Sequence, residues 1–156
     1  MNKIILGIDP GLATTGFSVL EISGQTTLLK DFGVFLTQKT DSTAERLFQI
    51  GKDFEEILKK WNPDILAIEK LVFVKNVTNG LLVAEARGVV LEKAFAHGLK
   101  ICEFLPTAVK SGVTGNGHAS KNQMQKMVQV IFHLPEIPKP DDAADAIAVA
   151  LCAGRQ

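Results

Sequence analysis

Four carboxylates stand where solubility alone does not call for an acid. Asp9 ends the apolar run IILGID, Glu69 ends DILAIE, and Asp142 and Asp145 open the otherwise apolar run DDAADAIAVAL. Positions i and i+3 share a helix face, so Asp142 and Asp145 can point into a common pocket. If the strands that carry Asp9 and Glu69 are neighbours, those two acids emerge at the same sheet edge. Four converging carboxylates repel one another unless cations sit between them, and an all-oxygen set suits Mg2+, with Mn2+ able to substitute. Two such ions stabilise both the attacking and the leaving oxygen of phosphodiester hydrolysis. Each acid also has a plainer role. Asp before Pro-Gly suits a turn, and Asp141 and Asp142 suit the start of a helix, Asp141 as its cap. Glu69 is harder to dismiss, because an acid directly after Ile-Leu-Ala-Ile faces the interior or a cleft.

Basic and glycine-rich residues complement the acids. VKSGVTGNGHASK sets Lys110, His118 and Lys121 around Gly112, Gly115 and Gly117. Glycines let backbone N–H groups approach a phosphate, and the start of the helix at Ser120 favours anions. The same stretch is equally a plain connector between helices. LVFVKN (71–76) places Phe73 and Lys75 just beyond Glu69, where an apolar wedge and a cation could meet opened bases; a core role for Phe73 is the ordinary alternative.

The elements that must position these groups read in order. IILGID is a buried strand stopped by Pro10-Gly11; TGFSVLEI (15–22) and TTLLKDFGVFLT (26–37) are two more strands, joined through Ser23-Gly24. Ser42 and Glu45 form a capping box for a helix whose apolar residues recur from Leu47 to Trp61. DILAIE is a fourth strand and KICEFLP (100–106) a fifth, with helices at 78–97, before and after the glycine-rich turn, and from about Asp141 to Cys152. This order predicts an α/β sandwich around a mixed five-stranded sheet, as a single domain over 1–156. The 78–97 helix is apolar around most of its circumference. Either it is sandwiched within the domain, or one side packs on the sheet and another meets a second subunit.

The totals bound the function more loosely. The chain of 156 residues is 46% hydrophobic with a mean hydropathy of +0.17, enough for a core without disulfides or metal staples. Cys102 and Cys152 lack CxxC spacing and read as reduced core residues. No apolar run is of membrane length, which points to the cytoplasm. A net charge of zero and a pI near 6.8 argue mildly against a nucleic-acid partner, although the formal charge omits any bound cations.

ILGIDPGLATTGFSVLE, DILAIEKLVFVKN, PTAVKSGVTGNGHASKNQMQKMV and PDDAADAIAVAL together resemble the RuvC family of Holliday-junction resolvases, in order, from Lys3 to Cys152. The resemblance implies an RNase H-like fold with helices on both faces of the sheet, a homodimer, and Mg2+-dependent, paired cleavage of four-way branched DNA. It implies that Asp9, Glu69, Asp142 and Asp145 hold two ions, and that Lys110 and Lys121 lie near the scissile phosphate. It implies an aromatic residue at the junction point, here Phe73, with His118 at a phosphate contact and branch-migration helicases as possible partners. The chain departs from the family in its low net charge and in ending soon after the last helix, without the basic tail of some relatives. Three other readings are carried: a nucleotide-binding domain of the actin and sugar-kinase type, which shares Gly-Ile-Asp-x-Gly; a junction-binding protein without activity; and a related nuclease acting on RNA.

Overall fold

The first strand decides the geometry of everything that follows. KIILGID, β1 (Lys3–Asp9), has four consecutive buried residues and sits at the centre of a sheet ordered β3-β2-β1-β4-β5. The structure, a computed structural model, describes residues 2–72 and 76–155. β2 (Thr14–Ser23) and β3 (Thr26–Leu36) run antiparallel as a meander on one side, turning at Gly24, whose φ of 59° suits glycine. β4 (Ile65–Glu69) and β5 (Lys100–Phe104) add parallel strands on the other side. β1 and β4 are therefore neighbours, paired from Ile5–Ile65 to Ile8–Ile68. Both of their C-terminal ends, with Asp9 and Glu69, open at one edge.

Five helices cover the two faces. α1 (Thr43–Trp61) and α2 (Val77–Ala96) pack on one, and α3 (Pro106–Thr114), α4 (Lys121–Ile131) and α5 (Asp141–Gly154) on the other. The expected α/β sandwich with a mixed five-stranded sheet is what forms. Ser42 caps α1 as the sequence predicts: its Oγ accepts from the Glu45 N–H, and its own N–H donates to Glu45 Oε2 at 2.8 Å. β5 stops at Phe104 rather than at 106, because Pro106 starts α3. α5 starts at Asp141 with Pro140 in the cap position and no side-chain cap, so Asp141 is not the cap but the first helical residue. Its charge still favours that end of the helix.

α5 explains how the site is held. Ten of its residues, from Ala143 to Ala153, are buried, and most are alanine. Small side chains let a helix approach a sheet closely. At Gly7 an added Cβ would overlap the Ala146 carbonyl, and at Gly16 it would overlap the Asp142 carbonyl. Ser18 Oγ donates to the Ala146 carbonyl at 2.9 Å, satisfying a hydroxyl that is fully buried. Among the described residues both cysteines are free thiols, and no helix is long and apolar enough to cross a membrane.

Candidate active site

Asp9 lies opposite Gly16 in the β1–β2 ladder, and Gly16 in turn lies directly beneath the backbone of Asp142. A glycine inside a strand marks a close approach of another backbone, and here it brings the first turn of α5 over the end of β1. The Asp9-Pro10-Gly11 turn is closed by Thr15, whose buried hydroxyl donates to the Gly11 carbonyl at 2.6 Å. Glu69 is reached through the parallel β1–β4 pairing. Its carbonyl accepts a hydrogen bond of 3.1 Å from Arg87 Nε, and the other end of that guanidinium pairs with Glu103 on β5. Arg87 thus ties α2 to both parallel strands beside Glu69. In the sequence nothing sets Arg87 apart from any other cation in a helix.

Asp9, Glu69 and Asp145 are each held above their ordinary values. Burial, followed by the charges of Asp145, Asp142 and Glu69, pushes the Asp9 carboxyl up to about 8, with Lys121 opposing. Burial and then Asp145 raise Glu69, while Lys110 and Lys121 lower it. Asp145 is raised by burial against the pull of Lys121, whose Nζ donates to Asp145 Oδ2 at 2.8 Å. Burial works against the Lys121 ammonium, but that hydrogen bond and the surrounding acids prevail, so its pKa is raised. Asp141, exposed at 3.7 Å from the same ammonium, stands at the rim.

The donor set is all oxygen, and Asp145 Oδ1 is buried without a hydrogen-bond partner. A hard divalent cation suits both observations. The acids are not a preassembled cage, however. Among the described residues no three acidic, histidine or cysteine side chains stand close enough to share one ion. Ligation requires these side chains to turn, with Lys121 giving up its hold on Asp145.

The remaining predicted residues fall in two groups. Lys110 on α3 acts on Glu69, and Lys121 opens α4, so both lysines belong to the acidic edge. The glycine-rich turn is less available to an anion than its composition suggests. The Gly115 N–H closes α3 on the Ser111 carbonyl at 2.8 Å, and the His118 N–H bonds Asn116 Oδ1 at 2.9 Å. Ser120 and Gln123 cap α4 reciprocally. The Gly115 and His118 amides are thus bonded within the turns, while the His118 ring is exposed. Gly117 packs against the Thr107 carbonyl. Phe73 and Lys75 lie outside the described residues.

The family model described as "Crossover junction endodeoxyribonuclease RuvC" matches residues 5–153. This chain belongs to the RuvC family. A protein of that name from Alkaliphilus oremlandii is 46% identical over 149 residues, covering 96% of this chain and 91% of its own. T. thermophilus RuvC, solved in complex with Holliday junction substrate, superposes with a TM-score of 0.90 at 32% identity, covering 96% of this chain and 92% of that one. The yeast mitochondrial Holliday junction resolvase Ydc2 shares the fold, with a TM-score of 0.72 at 17% identity over 98% of this chain and 78% of that one. RuvC membership confirms the family read from the four motifs and the RNase H-like resolvase fold expected from it.

Proposed function

We propose that this chain is a structure-specific endonuclease that resolves four-way DNA junctions by paired, symmetric, metal-dependent hydrolysis, leaving 5′-phosphate nicks. The observation that carries this reading is the gathering of Asp9, Glu69, Asp142 and Asp145 at one sheet edge in a chain of the RuvC family. These four residues would hold two Mg2+ ions, or Mn2+, which when bound activate the attacking water and stabilise the 3′-oxygen leaving group. Lys121 is balanced between Asp145 and solvent, so an arriving phosphate can take over its ammonium. Lys110, whose charge already favours ionised Glu69, then holds the same strand. The exposed ring of His118 and the segment with Phe73 and Lys75 would meet the DNA beside the branch point.

A two-fold dimer would set two such sites on opposing strands. α2 is the candidate interface, as its all-round apolar sequence suggests. Leu81 and Phe95 remain 61% and 77% exposed, and Phe48 of α1, 74% exposed, stands beside a cleft of about 540 Å³ floored by Gly88 and Val89. An enzyme of this kind would work on chromosomal DNA in the cytoplasm, where branch-migration helicases are the natural partners.

The test is a labelled four-way junction with Mg2+, with the cuts mapped on all strands. Symmetric nicks across the branch point are expected, and they disappear in EDTA. Equal cutting of linear duplex, or of RNA, would overturn the assignment of substrate; junction binding without any cleavage would leave a non-catalytic binding protein.

A further inference from the structure

Lys110 and Lys121 stand on the α3–α4 side of the acidic edge, but a second cation lies on its other side. Arg46, in the first turns of α1, borders a cleft of about 370 Å³ with the Gly11–Thr14 turn, Asn79 and Val83 of α2, and Asp142 itself. That volume lies in the range that admits a small ligand group. The arginine is fixed at one end: its Nε donates to Thr37 Oγ1 at 2.9 Å, and that hydroxyl donates to the Leu12 carbonyl at 2.6 Å. The Thr37 N–H also bonds the Ala13 carbonyl at 3.2 Å. Arg46 is thus braced against the same turn that carries Asp9.

Among the described residues its terminal nitrogens are uncommitted. No hydrogen bond of theirs and no carboxylate within ion-pair distance is found among the described residues. A half-buried guanidinium that keeps only a neutral partner, in a cleft that ends on an acid of the active site, is an unused anion receptor. Its two outer NH2 groups form the fork that matches two phosphate oxygens. Asn79, exposed at the cleft wall, adds an amide that can donate to a third oxygen.

We infer that Arg46, with Asn79, binds a phosphate of the cleaved DNA strand on the flank of the catalytic carboxylates opposite Lys110 and Lys121. The strand would cross the sheet edge with a cation on either face of the sheet and the acids between them. This inference rests on the nuclease reading above, and it assigns a backbone contact that carries no base preference. Arg46 is a binding residue in this scheme, and Thr37 positions it.

Junction affinity measured against salt, in an Asp145→Asn background that keeps the DNA intact, tests it. Each phosphate neutralised contributes about 0.9 to the slope of log Kobs against log[salt]. Arg46→Gln should lower that slope by about one unit per protomer bound and weaken binding roughly tenfold near 0.1 M salt. Arg46→Lys should keep most of the slope. A folded Arg46→Gln protein with an unchanged slope overturns the inference. Because Arg46 also braces the turn, the chain with native Arg46 supplies a second readout. Phenylglyoxal modification of Arg46 should be blocked by junction DNA, and equal modification with and without DNA overturns the inference independently. Absence of junction binding in the Asp145→Asn parent would instead count against the nuclease reading itself.

Discussion

The two faces of the sheet are built from opposite materials. On the α5 face, alanines and glycines bring backbone to backbone, so the Asp142 carbonyl rests on Gly16 and the Ala146 carbonyl on Gly7. On the α1–α2 face the core is made of large side chains, Ile50, Phe54, Leu66, Ile68 and Val90. Gly88 faces open space there, and Phe48, Leu81 and Phe95 stay exposed. Close packing of small residues leaves little room for adjustment and fixes the backbone that carries Asp142. A face of large residues with an uncovered apolar rim can be completed by another surface. One face positions the acids, and the other keeps an uncovered apolar rim.

The largest predicted effect concerns the group that the small-residue face positions. Asp145→Asn should reduce single-turnover junction cleavage by about 10³-fold or more while leaving junction binding in place. Full activity in the purified variant would remove Asp145 from the chemistry. Next is Gly16→Ala, which forces a Cβ into the Asp142 carbonyl and should cost about 3 kcal/mol in urea unfolding. The matching change on the other face, Gly88→Ala, meets nothing within the protomer and should leave its stability within about 1 kcal/mol. If both are tolerated equally, the contrast between the faces is wrong.

A third test uses the charge stored at the acidic edge. Asp9 keeps its proton to about pH 8 when folded, whereas the ordinary value is 3.8. Between those limits the folded chain binds more protons than the unfolded one, so this group's contribution to stability falls as pH rises through that window and is constant above it. In EDTA, Asp9→Asn should therefore stabilise the protein near pH 8 and leave its stability unchanged near pH 4. Mg2+ should stabilise only the parent, and its binding near pH 7 should release about one proton per site, measurable by calorimetry in buffers of different ionisation enthalpy. A gain that is flat with pH would show that Asp9 is not under charge strain. The smallest effect on the protomer is expected at Phe48→Ser, within about 0.5 kcal/mol. Sedimentation should nonetheless show weaker self-association, and an unchanged association constant would move the interface elsewhere.

Much of this arrangement was legible in the chain. Runs such as IILGID and DILAIE are too short and apolar to be anything but buried strands, and Ser42 with Glu45 announces α1 through chemistry that needs no tertiary partner. The acids could be singled out because carboxylates at the ends of apolar elements conflict with burial. The sequence-based assignments that changed were those of local polar groups. Asp141 resembled a cap, but α5 begins one residue too early for it to serve. The glycine-rich stretch offered backbone amides to a phosphate, yet those of Gly115 and His118 bond within the loop. Turn residues satisfy their own backbone whenever geometry permits, and composition does not tell a closed turn from an open one.

Sequence alone determined which residues carry charge, which runs must be buried and where α1 starts, since these follow from side-chain chemistry and short-range geometry. Only the tertiary structure decided that β1 and β4 are parallel neighbours, that Gly16 carries Asp142 over Asp9, and that Arg87 and Arg46 flank the acids. Those relations join residues far apart in the chain, and they depend on backbone contacts that leave no mark on the periodicity of either partner.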